Sequence, residues 1–317
     1  MSKLSKWHYY AKIVALTVTG SVTMTKNSHA TDLVQLPSMN LGDVNFHDGM
    51  AKPGKIAMLL SENYRGQSFN SEKGNELPGN NELNVDVLLS QFAFISEKKI
   101  LGGYYGAEVL LPWVHVKADT NLQGLPNESE TGSGDIIFSP FLLQWTDSTL
   151  FGKPYSHRLN FLFNAPKGSY DKHKAINTGY NYWRFNPYYA GTLQITPEVT
   201  TSFRLHYLWS DKNDDPNPSI ASQSTQAGTA FHMNFATGYA LTPKLHIGVA
   251  GYYLKQLSDD RIDGLRQANS REQVFGIGPA LQYFAQNGMF EVNAYIESGA
   301  ENRTEGNKVI ARYRWLF

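Results

Sequence analysis

The chain has 317 residues, with 28 basic and 28 acidic side chains, no Cys, and 18 Tyr, 17 Phe and 6 Trp. Zero net charge removes the electrostatic case for nucleic acid, and the absence of thiols excludes a disulfide scaffold or a thiolate metal site. Beyond the N-terminus no run reaches the roughly 20 apolar residues of a membrane helix, although a membrane barrel, whose strands alternate, passes that test unseen.

Lys3, Lys6 and Lys12 precede a modestly apolar stretch from Ile13 to Met24, and Ser28-His29-Ala30 puts small residues where a signal peptidase reads. Residues 1–30 therefore read as a signal peptide. Residues 31–54 are polar, contain Pro37 and Pro53, and read as a periplasmic leader or a partial plug. The leader is preferred, because so short a piece has few apolar residues to hold it in a lumen. From 55 to 317, strand-like segments alternate with breakers, near 55–70, 82–96, 99–116, 134–147, 155–169, 178–195, 198–211, 226–241, 244–258, 270–286, 288–300 and 307–317. Short turns fall at Glu97-Lys98, Ser148 to Pro154, Thr196-Pro197, Thr242-Pro243 and Asn287-Gly288. Longer polar links run Ser71 to Asn81, Lys117 to Ser133, Tyr170 to Asn177, Lys212 to Thr225, Asp259 to Asn269 and Glu301 to Gly306. Short turns on one side and long loops on the other predict an all-β, antiparallel transmembrane β-barrel of about twelve strands in the cell outer membrane of a Gram-negative bacterium.

The faces follow from the two-residue period of a strand. Phe203, Leu205, Tyr207 and Trp209 oppose Ser202, Arg204 and His206, so Leu205 is expected to face lipid and to tolerate replacement far less than Arg204. Phe290, Val292, Ala294 and Ile296 oppose Glu291, Asn293 and Glu297. Strands 82–96 and 134–147 are ambiguous: Leu88, Phe92 and Phe94, or Phe141, Leu143 and Trp145, fall on the expected inner face and would suit an apolar cargo. Gly106, Gly238, Gly248, Gly276 and Gly278 face inward and leave room. In the last strand Val309, Ala311, Tyr313, Trp315 and Phe317 oppose Arg312 and Arg314. An aromatic strand ending on Phe resembles the closing strand of bacterial outer-membrane barrels, which implies that Tyr313, Trp315 and Phe317 form an assembly signal.

No catalytic signature emerges. Lys167-Gly168-Ser169 lacks the upstream glycine of a phosphate loop. Asp211, Asn213 and Asp215 begin like a calcium loop, but Pro216 stands where Gly is required. Ser156 and His157 are sequence neighbours and point to opposite faces. His206, His232 and His246 read as polar lumen filler. No cofactor and no metal is expected. The inward charges Glu108, Arg158, Arg184, Arg204, Glu291, Glu297, Arg312 and Arg314, with the three histidines, are the candidate pore lining. They either line a water-filled path, with a mild preference for anions, or neutralise one another as a network that closes it.

Gly134-Asp135-Ile136 with Ser139-Pro140, Asn164-Ala165-Pro166-Lys167-Gly168-Ser169-Tyr170-Asp171, Asn177-Thr178-Gly179, Trp183-Arg184-Phe185-Asn186-Pro187 and Gly238-Tyr239 through Lys244 resemble the outer-membrane protein family named for the meta pathway of phenol degradation. One departure is Lys167, where a smaller polar residue is expected. The resemblance covers nearly the whole chain after residue 30. It implies a secreted barrel that helps aromatic or other hydrophobic compounds cross, and it brings no catalytic residues. The expected partners are outer-membrane lipid and lipopolysaccharide, the barrel-assembly machinery and a small hydrophobic or aromatic ligand. The expected function is a channel or passive transporter; the alternatives are a structural or binding barrel of the envelope and an outer-membrane hydrolase.

Overall fold

The structure is a computed structural model, which describes residues 34–121 and 127–317; the signal-peptide reading of 1–30 and part of the 117–133 link fall outside the described residues. Alternating sequence over long stretches gives long strands. Twelve antiparallel strands close into one barrel: β1 (Gly54–Phe69), β2 (Glu82–Ile100), β3 (Gly103–Asp119), β4 (Glu128–Ser133 continued by Ile136–Leu150), β5 (Lys153–Asn160 continued by Phe163–Ala165), β6 (Arg184–Phe185 continued by Tyr188–Gln194), β7 (Val199–Ser210), β8 (Ala230–Ala240), β9 (Leu245–Gln256), β10 (Gln273–Ala285), β11 (Gly288–Glu301) and β12 (Thr304–Leu316). The barrel closes where β1 pairs with β12, from Ile56 opposite Leu316 to Phe69 opposite Thr304.

The outer surface carries a belt of exposed apolar side chains. Phe92, Trp113, Ile247 and Val249 are each 40–55% exposed. Water would not tolerate so wide an apolar band, and a bilayer is the solvent that fits it. Leu205 is on this face, and Arg204 beside it is buried inside.

Two of the tight turns depart from the expected positions. The first lies at Leu101-Gly102, with φ of 51° and 78°, and not at Glu97-Lys98. A two-residue hairpin of type I′ needs positive φ at both positions, and Gly supplies the second at no steric cost. The charged run before it is absorbed in β2 as a register shift between Ile95 and Lys99. Phe151-Gly152 repeats the device with φ of 51° and 71°. At Thr196 and Thr242 the hydroxyl instead accepts from the amides that open the next strand, Val199 at 3.1 Å and Leu245 at 3.0 Å. The link from β11 to β12 is also tight, with Asn302 at φ 55°, and is not the long loop expected over Glu301 to Gly306.

Three neighbouring strands are interrupted, and proline explains two of the breaks. Pro112 of β3 has no N–H for the ladder, and β4 breaks beside it at Gly134-Asp135, where the Gly134 amide donates to the Pro112 carbonyl at 2.9 Å. β6 breaks at Asn186-Pro187. Segment 178–183, expected to be strand, is loop, because Gly179 donates to the Ser169 carbonyl at 2.8 Å and folds back over Lys167–Ser169.

Candidate functional site

The lumen is divided lengthwise. Residues 34–53 run down it from the loop end to the turn end, against β6 to β12, and are held chiefly by charge and backbone hydrogen bonds. At the loop end, Leu36 N donates to Glu272 Oε1 at 2.6 Å, and Ser38 is gripped between the Tyr180 hydroxyl (2.8 Å) and Arg184 (3.1 Å to the Ser38 carbonyl). Below, Gly42 N donates to Asn234 Oδ1 at 2.8 Å, and the Gly42 carbonyl accepts from the Tyr295 hydroxyl at 2.7 Å. Leu41, Val44 and Phe46 are at most 2% exposed, and Phe46 fills the space over Gly238, where an added Cβ would lie 2.4 Å from its ring.

The segment's two aspartates meet the inward arginines. Asp48 takes the Nε (2.8 Å) and Nη2 of Arg204, and Asp43 takes Arg204 Nη1 (3.1 Å) and Arg312 Nη1. Arg312 also pairs with Glu291 at 2.7 Å and donates to the Val44 carbonyl at 2.7 Å. Arg158 donates to the Asp48 carbonyl at 2.7 Å. A buried charge must find a partner, and these partners lie on the segment itself. The preference for a periplasmic leader is therefore corrected: polar sequence is what this polar lumen binds.

What the segment leaves open is a cavity of about 1340 Å³ along β1 to β5. Its lining runs from the loops, at Tyr170, Lys174 and Ile220, to the turn end, at Lys52, Pro53 and Phe317. The wall between includes Glu62, Arg158, Arg204 and Lys308, but its β2 and β3 side is apolar. On β2 and β3 the inward pairs are Leu83 and Ala118, Val85 and Val116, Val87 and Val114, and Leu89 and Pro112. Two polar groups interrupt it below, Gln91 and Glu108. This face was misassigned from the sequence: Leu88, Phe92 and Phe94 point to lipid, 46–54% exposed, and their odd-numbered neighbours point in. Likewise Phe141 packs outward with Tyr105 and Phe161, and Trp145 stacks on His157, while Leu142 lines the cavity.

Of the residues singled out from the sequence, Glu108, Arg158, Arg184, Arg204 and Arg314 line this cavity. The others do not. Glu291 and Arg312 lie under the lumen segment; Glu297 accepts from the hydroxyls of Tyr64 (2.8 Å) and Tyr252 (2.9 Å) and from Gly306 N (3.0 Å), pinning β1, β9 and β12 together. His206 and His232 stack at 4.0 Å and share Asn186 Oδ1. His246 lies against His47 of the segment, with ring centroids 5.2 Å apart. Tyr313 and Trp315 meet edge to face at 4.6 Å, and Phe317 is 76% exposed beside Lys55, to whose carbonyl its amide donates at 2.9 Å.

Sequence reasoning missed Asp135. Its carboxylate is fully buried and accepts from Gly168 N (3.0 Å), Tyr180 N (3.3 Å) and Arg184 Nη2 (3.0 Å). It thereby ties β4, the β5–β6 loop and β6 to the grip on Ser38. Glu272 was missed too: burial pushes its carboxyl up to about 7, although Arg303 (3.2 Å) and the Leu36 amide oppose the shift. A Ser148–His157 contact of 3.2 Å lies on the lipid face, but His157 Nδ1 has no hydrogen-bond partner among the described residues, so the pair lacks the third group that a catalytic triad hydrogen-bonds to its base.

An outer membrane channel from Pseudomonas putida F1 is similar in structure, with a TM-score of 0.76 and 16% identity over 88% of this chain and 100% of that one. The transport unit of the autotransporter AIDA-I from Escherichia coli (TM-score 0.48, 10% identity, 91% and 94% coverage) and the monoaromatic hydrocarbon channel CymD (0.42, 8%, 85% and 90%) are more distant. No curated protein matches the chain. A family model described as "Putative MetA-pathway of phenol degradation" matches residues 66–313, and the chain belongs to that family.

Proposed function

We propose that the chain is an outer-membrane channel through which small hydrophobic, including aromatic, molecules pass without energy input, and that it is not an enzyme. The observation that carries this reading is the cavity along β1 to β5, lined from the loop end to the turn end and apolar on β2 and β3. An aqueous ion pore gains nothing from such a wall, whereas an apolar solute leaving water gains about 25 cal/mol per Å² of surface it buries there. The resemblance to an outer membrane channel supports the same reading. In this account residues 34–53 stay docked and narrow the lumen, and the inward arginines hold that segment instead of selecting anions. The test is uptake of labelled toluene by whole cells, where the lipopolysaccharide leaflet is the barrier, with and without the protein. Cells carrying it should take up toluene faster at equal cell density. Equal rates would reject the channel and favour a structural or binding barrel.

A further inference from the structure

Glu108 has no cation in direct contact, although the charge of Arg158 acts on it at longer range. It is half-buried on the lumen face of β3, below the apolar column, and among the described residues it forms no ion pair within 4.0 Å. Two neutral amides hold it: Gln91 Nε2 donates to Oε2 and Asn160 Nδ2 to Oε1, each at 2.5 Å, and Asn160 is itself 2.8 Å from the Tyr188 hydroxyl. A carboxylate has about four acceptor positions, so each oxygen keeps one free. Keeping a carboxylate with no direct ion-pair partner at the edge of an apolar wall costs stability, and a packed apolar residue would avoid that cost. Backbone pairing already joins β2 to β3 without it.

We infer that Glu108 is the specificity-determining residue of the passage: its carboxylate accepts a hydrogen bond from the hydroxyl of a small alcohol or phenol moving along the apolar wall, and its charge turns back aromatic carboxylates. The inference rests on the channel reading and adds to it the class of cargo. The ring lies against Leu89 and Leu110 while the hydroxyl proton meets Oε1 or Oε2 in place of water. A bare hydrocarbon gains only the apolar contact, and an anion meets a like charge in a site poor in water.

The test measures binding to the detergent-solubilised full chain by fluorine NMR, with 4-fluorophenol, fluorobenzene and 4-fluorobenzoate as probes. A hydrogen bond to a charged acceptor predicts that 4-fluorophenol binds the native protein roughly tenfold or more tighter than fluorobenzene, with 4-fluorobenzoate weakest. Glu108→Leu should bring the phenol-to-benzene ratio close to one without weakening fluorobenzene. Glu108→Gln, which keeps the side-chain shape and guards against a misfolded Leu variant, should admit 4-fluorobenzoate and lower the phenol preference. If folded variants keep the native ratio, Glu108 only pins strands and the inference is overturned. If no probe binds the native protein, the channel reading fails and takes this inference with it; binding of fluorobenzene with no phenol preference removes the inference alone.

Discussion

Arg204 was expected to be the forgiving neighbour of Leu205, and its contacts reverse that order for the lumen. Replacing Leu205 by Arg puts a charge against lipid, at a cost of about 2–4 kcal/mol near the midplane. Replacing Arg204 by Leu leaves Asp48 without its cation partner, with its carboxylate 1% exposed, and costs about 3–5 kcal/mol of segment docking. The chain has no Cys, so Val44→Cys, at a position 0% exposed, is a clean reporter. Labelling should be slow alone and fast with Arg204→Leu; equal rates would show that Arg204 does not hold the segment. Glu272 adds a pH dependence. Its carboxyl is raised from 4.5 to about 7, so the folded state binds the proton more tightly than the unfolded one. Its contribution to stability is fully present below pH 4.5 and is lost as pH rises through about 7. Hydrogen-exchange protection of the Leu36 amide, corrected for its intrinsic rate, should fall across that window and stay level in Glu272→Gln. An unchanged slope in the variant would assign the effect to another group.

Strands were legible in the sequence because alternation and turn residues are local signals. The outward run Phe203, Leu205, Tyr207 and Trp209 and the Thr-Pro turns needed nothing beyond their own neighbours. β2 was not legible in the same way. It is apolar on both faces, with Leu88 and Phe92 outside and Val87 and Leu89 inside, and period alone does not tell lipid from lumen when both are apolar. Residues 34–53 were illegible for a different reason: their partners Asn234, Arg204, Arg312 and Glu272 lie on four strands or strand ends far away in sequence. The motif glycines make the same point at the scale of an element. Gly134, Gly168 and Gly179 stack backbone on backbone, and an added Cβ at Gly179 would lie 2.6 Å from the Gly168 carbonyl carbon. Gly179→Ala should cost about 1–3 kcal/mol, as overpacking does, and loosen the grip on Ser38. Thermal unfolding of the variant and the native chain, followed by gel mobility, checks it. An unchanged transition would show that the Gly168–Gly179 contact yields without cost.

At the scale of the molecule, the barrel holds a docked polar segment on one side and an apolar passage on the other. Asp43→Asn with Asp48→Asn removes the charges that seat the segment, so single-channel conductance in planar bilayers should rise above that of the native chain. An unchanged conductance would mean that the segment does not narrow the path. Whether cargo follows the apolar wall is tested most directly by narrowing it. Val87 and Val114 face each other across β2 and β3 inside the cavity, away from Asp43, Asp48 and their arginines. With equal amounts of folded protein confirmed by gel mobility, toluene uptake by cells carrying Val87→Trp together with Val114→Trp should drop towards that of cells without the protein. Uptake at the native rate through the narrowed barrel would contradict passage along this wall.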